Sequence, residues 1–351
     1  MIIAGLSSAT WGSLHAALTC FKKFEIYQGY SAIWPLTVND IVKFCTWASL
    51  VKKLKTSTIK SYIQALATLH NLRKIDDKFS RNYLVKLALR GAENLEQRLS
   101  ISSRKRFAMN LPLLKILGHE IAKSNWSKLN KQVFWSACTI AFFGSCRMGE
   151  LLPLTETKFD PFVTLLWKDI KVKSDSCIIH LKSPKSRQPG GEFIDLFTFS
   201  DTSCCPVAAI KFLQSLISKQ RNSDWPVFTF DSGIFLTKAK FNQTIKLLLA
   251  NSFQHDSFIS SHSFRQGIPS ALAKFPDMVK DNHIMGWGRW CSDAYLSYTK
   301  LKSDQKNVFL TKSCMCLIKK FLHALSLCIL AGTNIRVFWY YISFLDLPTN
   351  K

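Results

Sequence analysis

The stretch IAFFGSCRMGELL, residues 140–152, sets two charged side chains, Arg147 and Glu150, into an otherwise apolar run. An arginine in such a run is costly to bury unless it is paired or meets an anion. Glu150 lies three residues on, on the same face if the run is a helix, so an Arg–Glu pair is the simplest reading of this element alone. The helical pattern extends from about Lys131 to Leu151, after a first one that begins near Asn110. Beyond it the period changes. Apolar and polar residues alternate over 163–167 (VTLLW), 171–181 and 193–197, with QPGG at 188–191 as a turn, which predicts a small β-sheet. Helical patterns return over 206–219, 238–252 and from Ser260 onward. The expected fold class is therefore mainly α with a small antiparallel β-sheet, an α+β fold.

Towards the N-terminus the pattern is helical from Gly12 to about Glu96. PLTVND at 35–40 leads into an apolar run at Ile41, Val42, Phe44 and Trp47, with Thr37 or Asn39 as the cap. A second amphipathic stretch starts at Thr56 and continues through Ile59, Tyr62, Ile63, Leu66 and Leu69, leaving Lys60 on the outer face. These features predict a small helical bundle over residues 1–98. A basic, polar linker over 99–109 and a larger domain over 110–315 follow, since the chain is long for one compact core. The last segment, 316–351, holds two apolar runs, Phe321 to Leu330 and Val337 to Leu345. Each is shorter than the roughly 20 residues a bilayer requires. No membrane span is expected, and the first run reads as a packing helix, folded back or exchanged between protomers.

Charge points to the partner. The chain carries 47 Lys and Arg against 23 Asp and Glu, a formal +24. Such an excess suits a polyanion, and double-stranded DNA leads because neutralising phosphates releases condensed counterions. An anionic membrane is the rival on charge alone. The basic residues are spread along the chain, at Lys52, Lys53, Lys55 and Lys60, at Arg104, Lys105 and Arg106, and at Lys168, Lys171, Lys182, Lys185 and Arg187. That distribution fits a protein wrapped around a duplex better than a basic tail. The 11 cysteines are scattered, without zinc-knuckle spacing, and no secretory leader pattern is present, so reduced thiols are expected and neither metal nor cofactor is.

Two further elements carry chemistry. SSHSFR at 260–265 sets His262 and Arg265 three apart, on one face of a helix capped by Ser260 or Ser261. A guanidinium that neutralises non-bridging oxygens beside an imidazole that moves a proton suits phosphoryl chemistry. Pro269, one turn later, should kink or end that helix. GWGRWCSDAYLSY at 286–298 then places Tyr295 and Tyr298 behind an aromatic turn, and tyrosine can serve as a covalent nucleophile.

Taken in order, these elements resemble the tyrosine recombinase family. Arg147-Met-Gly-Glu150 is similar to the family's first arginine and companion acid. Lys185 resembles the lysine of its β-hairpin, with Lys182 as the alternative, and His262 with Arg265 resembles its His-x-x-Arg. Trp290 looks like its His-or-Trp position, in competition with Trp287. Tyr298 looks like the nucleophile, in competition with Tyr295, and keeps the longer spacing from the tryptophan. The passage from Gly288 to Tyr298 further resembles recombinases of eukaryotic DIRS, Ngaro or Crypton elements, which implies a nuclear protein. The similarity runs over roughly residues 12–315 and takes in a helical core-binding domain.

What the resemblance implies is a C-shaped clamp on duplex DNA and a tetrameric synapse built by exchange of C-terminal helices. Strands would be cut and rejoined through a 3′-phosphotyrosine, without ATP or metal. Arg147 and Arg265 would stabilise the phosphorane, Lys185 would protonate the leaving oxygen and His262 would act as acid or base. Trp290 would donate to a non-bridging oxygen, Glu150 would orient Arg147 or His262, and Lys60, Arg104, Lys105, Arg106, Lys182 and Arg187 would contact DNA. Other expectations consistent with the same residues are a catalytically inactive DNA-binding derivative and a type IB topoisomerase-like enzyme acting alone.

Overall fold

The computed structural model describes residues 5–29, 31–98, 105–183, 190–199, 201–217, 222–250, 257–273, 279–290 and 296. The chain divides into two compact units, Met1–Ser103 and Arg104–Lys351.

Among the described residues, the first unit holds four helices: α1 (Ser8–Gln28), α2 (Val38–Leu50), α3 (Thr56–Leu72) and α4 (Tyr83–Arg98). Their boundaries follow from local chemistry. Of the two expected caps for α2 it is Thr37 that serves. Its hydroxyl accepts the Asp40 N–H at 3.2 Å while Asp40 Oδ2 accepts the Thr37 N–H at 2.8 Å, a capping box that settles two otherwise orphaned donors. Gly29, at φ 72°, closes α1 in the left-handed conformation a side chain would resist. The core is aromatic: Phe21, Phe24, Phe44 and Trp47 meet with ring centroids 5.3–6.1 Å apart, backed by Ile41, Ile59, Ile63 and Leu66. Lys60 faces outward on α3, 3.6 Å from Glu93 of α4.

The second unit contains α5 (Leu111–Lys123), α6 (Lys128–Phe143), α8 (Pro206–Leu216), α9 (Lys238–Leu248), α10 (Ser261–Leu272) and α11 (Asp281–Gly288), with a small sheet that packs on α8. The unit begins inside the basic segment expected as a linker. There β1 (Lys105–Arg106) pairs in parallel with β5 (Ser257–Phe258), and the Met109 N–H bonds the Ser263 carbonyl at 2.9 Å. Helix α6 is buried on nearly every side from Gln132 to Phe143, so it forms the centre of this core.

The expected continuous helix over 131–151 is interrupted. Gly144 ends α6, Ser145 takes φ 46°, and a short α7 (Met148–Leu151) starts with Arg147 as its N-terminal flanking residue. A Cβ on Gly144 would lie 2.9 Å from both the Ile140 carbonyl and Cys146 Sγ, so only glycine permits this exit from the helix.

Three antiparallel strands in the order β2 (Ile170–Val172), β3 (Ser176–Leu181) and β4 (Glu192–Phe197) form the sheet. Cys177, Ile179, Leu181, Ile194 and Leu196 face the core. Glu192, opposite Leu181, has the same parity, so its side chain starts from the core face of the sheet. The alternation at 163–167 does not become a strand of this sheet. Leu166 makes only an isolated bridge to Pro226, and Trp167–Asp169 forms a 3-10 turn, because the Asp169 carboxylate accepts the Leu166 N–H at 2.8 Å and folds the chain back on itself.

Helix α10 also departs from expectation, running through Pro269 to Leu272 without ending there. A proline removes one backbone bond. The buried row of Phe264, Ile268 and Leu272 holds the helix by packing, and Gly267 lies so close to the Phe142 ring that a Cβ would collide with it. Among the described residues no helix is long and apolar enough to cross a membrane.

Candidate active site

The break between α6 and α7 turns a backbone carbonyl outward from the helix. Ser145, held in the left-handed region at a cost of roughly 1 kcal/mol, presents its carbonyl to two arginines: Arg265 Nη1 at 2.6 Å and Arg289 Nη2 at 3.2 Å. Two residues on, Arg147 and Glu150 close a tight loop. Glu150 Oε2 accepts the Arg147 backbone N–H at 2.9 Å and Oε1 accepts Arg147 Nη1 at 2.8 Å. The carboxylate is buried, whereas the Arg147 side chain keeps 31 % of its surface, so that guanidinium is open to an incoming anion.

Arg265 sits on the buried face of α10 with 1 % of its surface exposed. Its second terminal nitrogen donates to the Gly288 carbonyl at 2.6 Å, and the Trp290 ring lies against it, 5.2 Å from Cζ to centroid. That stack depends on the end of α11. The N–H groups of Arg289 and Trp290 return to the carbonyls of Gly286 and Met285, Arg289 takes φ 54°, and the chain doubles back so tightly that a Cβ on Gly288 would run into the Trp290 ring.

Arg289 completes the cluster. Its guanidinium meets Glu150 Oε2 at 3.0 Å and Glu192 Oε2 at 3.3 Å, joining α7, β4 and the end of α11. Burial by itself would raise the Glu150 carboxyl, but Arg289 and then Arg147 outweigh it and hold the group below the ordinary carboxylate range. Burial, reinforced by repulsion from Arg147, pulls Arg265 down to about 10. The neighbouring Cys146 thiol is pushed up to about 12 by burial, which keeps it protonated and inert. Among the described residues, three guanidinium groups against two carboxylates leave one excess positive charge in a low-dielectric place, and an anion beside Arg147 would offset the repulsion on Arg265.

No family sequence model matches this chain, and no curated protein sequence does. Solved structures do. A lambda integrase(75–356) dimer bound to a COC′ core site superposes with a TM-score of 0.54 at 14% identity, over 89% of this chain and 94% of that one. The XerH site-specific recombinase bound to palindromic difH substrate, in its post-cleavage complex, gives 0.55 at 14% identity over 85% and 78%. A lambda integrase tetramer bound to a Holliday junction gives 0.50 at 13% identity over 84% and 75%. The chain has the tyrosine recombinase fold.

Within the tyrosine recombinase fold, the structure brings together some of the residues that the sequence singles out and separates others. Arg147, Glu150, Arg265 and Trp290 come together in one cluster. His262 lies one turn before Arg265 on α10, partly exposed, and Trp287 packs partly buried against the core. Lys182, at the end of β3, is held 2.6 Å from Asp169 Oδ2 and is therefore engaged in an internal ion pair. Lys60 belongs to the first unit, and Lys105 and Arg106 form β1. Lys185, Arg187, Arg104, Tyr295, Tyr298 and the tail 316–351 lie outside the described residues.

The sequence reading missed Arg289, Glu192 and Ser145. Arg289 was visible beside Trp290, yet its partners are 97, 139 and 144 positions away. Glu192 had a usable signal, an acid at the start of a strand on the parity of Ile194 and Leu196. Ser145 contributes only backbone, and no side-chain pattern reports that.

Proposed function

We propose that the chain is a site-specific DNA recombinase that cuts and rejoins strands through a 3′-phosphotyrosine on Tyr298, in the service of mobile-element integration. The observation that carries this reading is the convergence of Arg147, Glu150, Arg265 and Trp290 on one positively charged cluster in the tyrosine recombinase fold. Those positions span more than 140 residues, and in the family resemblance Arg147, Arg265 and Trp290 meet the phosphate while Glu150 orients its neighbours.

The Tyr298 hydroxyl attacks the scissile phosphorus and forms the Tyr O–P bond as the P–O5′ bond breaks. Arg147, the exposed guanidinium, neutralises the non-bridging oxygens, and Arg265 shares that charge through the cluster. Lys185 delivers the proton to the departing 5′ oxygen, and His262 handles the tyrosine proton. Trp290 holds Arg265 and donates its indole N–H. The covalent bond conserves the phosphodiester energy, so rejoining to another strand needs neither ATP nor metal. Duplex DNA is the partner that the charge of +24 favours, and Lys60, Arg104, Lys105, Arg106 and Arg187 are its proposed contacts, Lys182 being held by Asp169. Assembly on paired sites as a tetramer, through exchange of the segment Leu301 to Leu325, and residence in a eukaryotic nucleus complete the proposal.

The test is covalent trapping on nicked duplexes that carry random and candidate element-end sequences, followed by denaturation. A protein–DNA adduct lost in Tyr298→Phe and kept in Tyr295→Phe is the expected result. Strong, salt-sensitive DNA binding with no adduct would replace the enzyme with an inactive DNA-binding derivative of the same fold.

A further inference from the structure

Arg289 has no part in the reaction as written above, yet it is the side chain that ties the site together. It is 9 % exposed, it bridges two carboxylates from separate elements, and it shares the Ser145 carbonyl with Arg265. Among the described residues, Glu150 divides its two oxygens unequally: Oε1 serves Arg147, while Oε2 takes the Arg147 backbone N–H and Arg289. Without Arg289, the cluster would hold Arg147 and Arg265 against Glu150 and Glu192, with no excess charge. Among the described residues, the cation left in direct side-chain contact with the Glu150 carboxylate would then be Arg147.

We propose that Arg289 is a positioning residue for strand cleavage. By sharing Glu150 it leaves the Arg147 guanidinium incompletely neutralised and directed at the scissile phosphate, and by capping α11 it holds Trp290 on Arg265. This rests on the recombinase reading and deepens it. Three features of Arg289 serve the role together. Its left-handed backbone makes the turn that returns Trp290 to Arg265. Its forked side chain reaches Glu150 and Glu192 at once, which a lysine cannot do with one nitrogen. Its burial makes both contacts strong.

The groups around Glu150 are Arg147 and Cys146 on its own segment, Arg265 from α10, Glu192 from β4 and Arg289 itself. Against burial, Arg289, by its charge, and Arg147, by its charge and two hydrogen bonds, together keep Glu150 ionised. Loss of Arg289 lets burial raise the carboxyl, so the acidic limb of the cleavage-rate profile moves to higher pH.

The experiment uses the full chain and a nicked duplex on which the wild type forms its adduct. Single-turnover cleavage, DNA affinity and the pH profile are compared for wild type, Arg289→Gln and Arg289→Lys, with circular dichroism to show that each folds. The expected result is a loss of about 100-fold in cleavage rate for Arg289→Gln, the scale of a misplaced catalytic group. DNA affinity should stay within about threefold, so the change falls on the chemical step and not on binding. The acidic limb should move up in pH, and Arg289→Lys should recover part of both rate and limb. Cleavage at the wild-type rate in Arg289→Gln, or an unmoved acidic limb in a folded variant, would overturn the role of Arg289. If Arg289→Gln does not fold, Arg289→Lys alone decides by the same two readouts. Absence of any adduct from the wild type would instead overturn the recombinase reading itself.

Discussion

In the first unit the buried ring of His70 is settled by two backbone groups: Nδ1 faces the Leu66 carbonyl at 2.9 Å and Nε2 accepts the Leu36 N–H at 3.0 Å, with Trp34 stacked at 4.4 Å. In the second unit Arg265, equally buried, takes two carbonyls, one indole face and the field of two other arginines and the Glu150 carboxylate. The imidazole is spent on structure, because each of its nitrogens has a partner and nothing in its surroundings calls for a ligand. The arginine cluster keeps an uncompensated charge and an exposed member in Arg147. A buried polar group that is fully satisfied belongs to the core, whereas a buried cluster left with excess charge is prepared for something that arrives.

The largest expected effect tests the structural side of that contrast. Phe24→Ala removes the ring at the centre of the Phe21, Phe44 and Trp47 cluster. It should cost about 3–5 kcal/mol in the first unit, read from the urea unfolding of the full chain. A loss below about 1 kcal/mol would show that the aromatic cluster repacks and does not hold the bundle.

The electrostatic side is tested at Glu150. Its folded-state carboxyl lies below its unfolded value, so its stabilising contribution is fully present above the unfolded value and is lost as pH falls through the folded one. Glu150→Gln should therefore lose roughly 1–3 kcal/mol at neutral pH. The gap between variant and wild type should narrow on acidification below about pH 4, the ordinary carboxylate range. A constant gap across pH would mean that the carboxylate charge is not what the cluster uses.

The smallest effect concerns Lys60, exposed beside Glu93. Lys60→Ala should change stability by less than about 0.5 kcal/mol, since surface pairs contribute little. It should also flatten the salt dependence of DNA binding by about one unit of slope if this lysine meets a phosphate. An unchanged slope would remove Lys60 from the DNA-facing surface.

Most of the architecture was legible because helices and strands announce themselves through nearest-neighbour chemistry. Thr37 with Asp40, the apolar spacing from Ile59 to Leu69 and the glycine-containing turn before Phe193 act within a few residues of themselves. The misreadings share a cause. The helix that stops at Gly144, the turn that Asp169 imposes on Leu166 and the helix that continues through Pro269 are decided by contacts in which local propensity is one weak vote.

By itself the sequence determined the class of fold, the excess of basic charge and four members of the candidate cluster, because an arginine in an apolar run, a His-x-x-Arg and the tryptophan of a family-like turn are visible without coordinates. Only the tertiary structure decided that Ser145 lends a carbonyl, that Glu192 reaches inward and that Arg289 joins three segments. Those roles depend on a left-handed backbone at two residues and on partners about a hundred positions or more apart, and a linear pattern carries neither.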